Sequence, residues 1–153
     1  MPLLSVNQED QGLKPLVSTS YSDGTLRENG WPMHPKFTDA IALFNRREYF
    51  ACHEVLEEIW QEAAAEDKAF FEGLIRFATG LHLRFNRRAP QGAINLLTQG
   101  LMRIENYRPV YHGVDVARLY DEIDVHVNDL KSAKNPQAGF FERWRAPRIR
   151  LVG

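Results

Sequence analysis

A histidine and several glutamates stand close together in the segment YFACHEVLEEIW, residues 49–60, which is otherwise rich in apolar and aromatic residues. In a helix, His53 and Glu57 share one face, because residues four apart differ by only about 40° around the axis. Trp60 continues that face, whereas Glu54 points to a different and more solvated one. An imidazole and a carboxylate at this spacing can share a hydrogen bond, act as an acid–base pair or ligate one metal ion.

A metal site would need at least one more ligand from another helix. The zinc-protease pattern is excluded, because it requires a second histidine where Glu57 stands. His82, in the segment GLHLRF, is the best third ligand, and the set His53, Glu57 and His82 would suit a divalent metal such as zinc, iron or manganese. Two alternatives stay open: a small-ligand or acid–base pocket, and an internal hydrogen bond that only satisfies buried polar groups. His112 and His126 are isolated in the sequence, and we expect neither to belong to a ligand set.

Apolar residues recur at helical spacing through most of the chain and predict five helices. Their approximate ranges are 35–46, 48–64, 67–87, 90–106 and 114–132. The third is apolar around more than half of its circumference, so we expect it to be the central and most buried helix. Because the links are short, neighbouring helices should be antiparallel, and the predicted fold class is all-α, a compact bundle of about five helices.

The two ends of the chain lack this period, and they flank a bundle domain predicted over residues 35–132. Residues 1–34 are rich in proline and glycine, which indicates an extended or disordered arm. Residues 133–153 combine Phe140, Phe141 and Trp144 with basic residues, and we expect an irregular basic-aromatic tail that packs on the bundle.

Charge is distributed unevenly along the chain. Residues 48–72 hold eight acidic residues and one lysine, whereas residues 131–153 hold six basic residues and one glutamate. The simplest interpretation is electrostatic pairing of the two regions, within one chain or across a homodimer. The rival interpretation is a nucleic-acid-binding arm, because basic residues alternate with aromatic ones in FFERWRAPRIR.

Bulk composition limits the classes of protein that the chain can represent. Its 153 residues suit one domain with tails, and 44% hydrophobic residues are enough for a core. The net charge of −1 gives no overall attraction to nucleic acid or to a membrane surface. The single cysteine, Cys52, is interpreted as a buried thiol. With no signal peptide and no apolar stretch of about 20 residues, a soluble intracellular protein, cytoplasmic in the simplest case, is expected.

The order of these motifs resembles the domain of unknown function 309 family, over roughly residues 36–107. The matching residues are Tyr49, Phe50, His53, Glu54, Leu56, Glu57, Trp60, Gly73, Leu74, Ile75, His82, Gly92, Ala93, Leu96 and Leu97. The resemblance implies an all-helical fold and no established activity. Arg76 departs from the glutamine expected in many members, and an arginine there favours an anionic ligand.

The leading functional prediction is a small helical binding or interaction module with a polar His/Glu pocket between the second and third helices. The pocket candidates are His53, Glu54, Glu57, Trp60, Arg76 and His82. The expected occupants are a small ligand or a protein segment, with a second copy of the chain as a further partner. The first alternative is a metal-dependent or acid–base enzyme that uses His53, Glu57 and His82. The second is weak nucleic-acid binding through the C-terminal tail.

Overall fold

The computed structural model describes residues 34–132 and 146–152. The five predicted helices are present, which confirms the all-α fold class. They are α1 (Phe37–Asn45), α2 (Tyr49–Glu62), α3 (Lys68–Phe85), α4 (Pro90–Ile104) and α5 (Val116–Ser132), with 3₁₀ turns at Ala65–Asp67 and Glu105–Tyr107. Across the described ranges, none of the helices has the length and apolar character needed to cross a bilayer.

A small antiparallel hairpin precedes α5, where the sequence predicted the helix to begin. It pairs β1 (Val110–Tyr111) with β2 (Val114–Asp115). The two residues of its turn, His112 and Gly113, have φ values of 48° and 76°. A turn with positive φ at both central residues matches the right-handed twist of the flanking strands, so the chain reverses before the helix starts.

Helix α3 lies at the centre of the bundle, packed between α2 and α4. All of its residues are buried or half-buried. Its glycines allow the close approach of α4: a Cβ atom added at Gly80 would lie 2.8 Å from the Leu97 side chain. A Cβ atom at Gly100 would lie 2.6 Å from the ring of Phe77. The α3–α4 contact therefore depends on residues without side chains.

Helix α1 closes one end of the core and anchors the described C-terminal residues. The Asn45 amide donates to the carbonyl of Ile149 at 2.9 Å and accepts from the Ile149 N–H at 2.8 Å. The same segment adds to the hairpin, because the Asp115 N–H donates to the Arg150 carbonyl at 2.8 Å. Ile149 is buried, so residues 146–152 complete the core. The tail aromatics Phe140, Phe141 and Trp144, and all but the last residue of the predicted arm, lie outside the described residues.

Candidate functional site

One side of α3 is only half-buried and faces away from the rest of the core. Between Glu72 and Phe85 the half-buried residues follow helical spacing and so form a single strip. We name this strip, with the adjoining edge of α2, the outer face. Its members are Glu72, Ile75, Arg76, Thr79, His82 and Leu83 on α3, and Phe50, His53 and Glu57 on α2.

Phe50 links the two predicted histidines of the outer face. Its ring lies 4.8 Å from the His53 ring and 5.5 Å from the His82 ring, measured between centroids. Phe50 is nevertheless 55% exposed, which is unusual for an aromatic residue beside a core. From the sequence, Phe50 was identified only as one of the residues that match the family pattern. Its exposure could have been expected from helical phase, because it lies about 100° around the axis from the buried Tyr49.

The His53 imidazole is held in place by its own helix. Its Nδ1 lies 2.5 Å from the Phe50 carbonyl oxygen, and its Nε2 lies 3.9 Å from Glu57 Oε2. The second distance is too long for a hydrogen bond and leaves a weak electrostatic contact. The structure thus places His53 and Glu57 on one face, while Glu54 is exposed.

The geometry does not support the three-ligand metal site predicted from His53, Glu57 and His82. Among the residues at 34–132 and 146–152, no three His, Cys, Asp or Glu side chains are grouped so that they could hold a metal ion. The physical reason lies in the contacts of the histidines. Nδ1 of His53 is engaged by a backbone carbonyl, and both imidazoles pack on the Phe50 ring.

Trp60 and Arg76, the other two predicted site residues, make their contacts toward the opposite end of α3. Lys68 Nζ lies 4.5 Å from the centre of the Trp60 ring and donates to the Trp60 carbonyl at 2.6 Å. Arg76 Nη2 lies 3.8 Å from a carboxylate oxygen of Glu72, and Arg103 Nη1 lies 3.5 Å from the other oxygen. This end of the outer face therefore carries two guanidinium groups around one carboxylate.

A second polar cluster, which was not predicted from the sequence, lies beneath the hairpin. Asp67 Oδ1 accepts from the Tyr111 hydroxyl at 2.5 Å, and Asp67 Oδ2 lies 3.0 Å from His112 Nε2. His112 was expected to belong to no ligand set, and its contact with Asp67 was not predicted from the sequence. The ring of His126 lies 5.5 Å from that of Phe85.

The pKa values in this cluster follow from its burial and contacts. Burial by itself would raise the pKa of Asp67, but hydrogen bonds from His112 and Tyr111 outweigh it and hold that pKa below its ordinary value. The pKa of Tyr111 is raised, first by burial and then by its hydrogen bond to Asp67. His112 also stacks on Phe71, with ring centroids 5.8 Å apart. These contacts tie the hairpin to the start of α3, so the cluster serves the architecture of the bundle.

The model of a family described as Domain of unknown function (DUF309) matches residues 37–96, which agrees with the resemblance seen in the sequence. An uncharacterised protein of Aquifex aeolicus is 32% identical over 99 residues, which are 64% of this chain and 29% of that protein. The uncharacterised protein YpuF of Bacillus subtilis is 33% identical over 94 residues, 58% of this chain and 53% of that protein. The chain therefore spans less than two thirds of the length of either relative.

Proposed function

On the premise that residues 37–96 are a DUF309 domain, we propose that this protein is a binding module whose outer face binds a protein partner. The observation that carries the proposal is the exposure of Phe50, 55% of whose surface is accessible at the edge of a half-buried strip. Large aromatic side chains are enriched at protein interfaces, where they supply apolar area with few rotatable bonds.

The surroundings of Phe50 suit recognition. The contacts of Phe50 with His53 and His82 fix its position, so little side-chain entropy is lost when a partner covers it. The half-buried imidazoles of His53 and His82 lie beside it and can exchange water for a partner's donors and acceptors. This arrangement of a rigid aromatic anchor inside a polar rim is the usual plan of an interface hot spot.

The charge of α2 indicates which charge the partner presents beside its pocket for the Phe50 ring. Helix α2 contains Glu54, Glu57, Glu58 and Glu62 and contains neither lysine nor arginine. Glu58 pairs with Lys36, and Glu62 lies 3.1 Å from His34, so Glu54 and Glu57 form the acidic border nearest to Phe50. A partner with a pocket for an aromatic ring and a basic residue at its border would complement this edge.

The experiment that tests the proposal is quantitative affinity capture from cells that express the full chain. Wild-type protein is compared with Phe50→Ser and with Met102→Ser, because Met102 is also an exposed apolar residue, 69% accessible, on α4. We expect a protein that is retained by wild type and by Met102→Ser and is lost from Phe50→Ser. If every retained protein is indifferent to the change at Phe50, the outer face is not the binding surface. If a small molecule, and no protein, is retained by wild type and by Met102→Ser and is lost from Phe50→Ser, the outer face is a ligand site.

A further inference from the structure

We propose that Arg76 and Arg103 form an oxyanion-binding subsite at the α3–α4 side of the outer face, and that Glu72 is an internal competitor for it. The inference rests on the proposed function, since it names the chemical group that the outer face recognises. That group is a carboxylate or a phosphate, whose oxygens match the planar fork of a guanidinium.

Arg76 and Arg103 hold Glu72 only loosely. Their distances to its carboxylate oxygens are 3.8 Å for Arg76 and 3.5 Å for Arg103. Charge-assisted hydrogen bonds are typically about 2.7–2.9 Å long. Glu122 shows the contrast within the same chain, because Arg150 Nη1 approaches it to 2.7 Å and the Arg148 N–H also donates to it at 3.1 Å. Glu72 therefore leaves much of the donor capacity of its two arginines unused.

Two buried donors at this end of the outer face have no acceptor. Within the described part of the chain, Arg76 Nε and Trp60 Nε1 are both buried and lack a hydrogen-bond partner. A buried donor without an acceptor is costly, and native proteins rarely leave one unexplained. An anion bound by Arg76 would supply the missing acceptor to its Nε–H.

The close approach of α4 to α3 places Arg103 at the same end of the outer face as Trp60. Phe50 contacts His82 at one end of the antiparallel pair α2–α3, and Trp60 contacts Lys68 at the other, so Trp60 and Glu72 lie at nearly the same level. Gly73 allows α4 to approach closely: a Cβ atom added there would lie 3.2 Å from the Gly100 carbonyl oxygen and 3.5 Å from Arg103 Cβ. The lack of a side chain at Gly73 thus brings Arg103 beside the α3 strip.

Positive charge exceeds negative charge at this subsite. The guanidinium groups of half-buried Arg76 and exposed Arg103 lie around one carboxylate, which leaves a local excess of one positive charge. Half-burial of Arg76 weakens the screening by solvent, so an anion beside it is attracted more strongly than at a fully exposed arginine. The subsite lies across α3 from the acidic border formed by Glu54 and Glu57, so the outer face presents opposite charges along its two sides.

The test is a titration of the full chain with inorganic phosphate and, separately, with succinate, at low ionic strength and followed by calorimetry. The variants are Arg76→Gln, Arg103→Gln and Glu72→Gln, and the control is Arg118→Gln, an arginine that pairs with Glu122 in α5. Thermal unfolding of each variant verifies that it is folded. We expect saturable binding by wild type, weakened about tenfold or more by either arginine change and unchanged in the control.

The sign of the Glu72→Gln effect is the most specific outcome. Removing the competing carboxylate should tighten anion binding by about tenfold, whereas an arginine pair held only for stability would bind no better. Preference for phosphate or for succinate identifies the source of the oxyanion. The proposal is overturned if wild type shows no saturable binding of either anion, if Arg76→Gln binds as wild type does, or if Glu72→Gln does not bind more tightly. None of these results depends on Phe50, so the proposed function is judged separately by affinity capture.

Discussion

Replacing Asp67 with asparagine is a sensitive test of the cluster beneath the hairpin. One carboxylate oxygen of Asp67 lies 2.5 Å from the Tyr111 hydroxyl, and the other lies 3.0 Å from His112 Nε2. Only 17% of the Asp67 side chain is exposed. A hydrogen bond to a charged group contributes about 1.5–3 kcal/mol, and asparagine keeps one of the two oxygens. We therefore expect Asp67→Asn to lower the free energy of unfolding by about 2 kcal/mol at neutral pH, a loss of about 4–8 °C in Tm.

The pH dependence gives this prediction a definite sign. The pKa of Asp67 is lowered in the folded protein, so the stability contributed by its carboxylate is present above the unfolded-state pKa, near 3.9. That contribution is lost as the pH falls through the lowered value. The difference in stability between wild type and Asp67→Asn should accordingly shrink under acidic conditions, because the wild-type carboxyl becomes neutral as well.

The assay is urea unfolding followed by circular dichroism, at neutral pH and at several values down to the acid limit of the folded state. Asp121→Asn, at an exposed position of α5, is the matched control for removing one aspartate charge. Equal stability of Asp67→Asn and wild type at neutral pH would refute the assignment of the cluster. A difference that stays constant through the acid range would refute its electrostatic origin.

Three further predictions concern the packing of the bundle. Asn45→Ala removes both hydrogen bonds to the Ile149 backbone and should cost about 2 kcal/mol in urea unfolding, at about 1 kcal/mol for each bond. Gly80→Ala places a Cβ atom 2.8 Å from the Leu97 side chain and should cost about 1–3 kcal/mol through overpacking. Burial raises the pKa of Cys52 to about 12, so a disulfide reagent near pH 8 should modify it far more slowly in the folded protein than in urea.

Matched variants and reagents decide each of these outcomes. Asn128→Ala, at an exposed position of α5, should change the free energy of unfolding little. If Asn45→Ala and Asn128→Ala lose the same free energy of unfolding, Asn45 does not anchor the C-terminal segment. At Gly92, an added Cβ atom would meet only the tip of Leu83 at 3.0 Å, so Gly92→Ala should cost less than Gly80→Ala. Equal rates of Cys52 modification with and without urea would show that the thiol is accessible.

The helices could be predicted because each buries a stripe of apolar residues at a period of 3.6. The position of α3 at the centre followed from its continuous apolar surface, and the structure agrees. The hairpin could not be predicted, because strands of two residues are too short to show alternation and one turn position with positive φ is a histidine. Val114 and Asp115 were therefore included in the helix predicted over residues 114–132, although pairing to β1 holds them in a strand.

The contacts of the site were predictable only where they lie within one helix. The shared face of His53 and Glu57 follows from a spacing of four residues, and the structure places them 3.9 Å apart. The Asp67–Tyr111 hydrogen bond joins residues 44 apart in sequence, so no local pattern reveals it. The pairing of Arg103 with Glu72 likewise depends on the close approach of α3 and α4 at Gly73.

The central claim, that the outer face around Phe50 is a binding surface, is tested most directly by photocrosslinking in living cells. A benzoylphenylalanine replaces Phe50 in one sample and the exposed Met102 in the other, and adducts are separated and identified after irradiation. If Phe50 lies in a binding surface, position 50 gives a discrete adduct with one partner and position 102 gives none with that partner. The same adducts from both positions, or none from position 50, would contradict it.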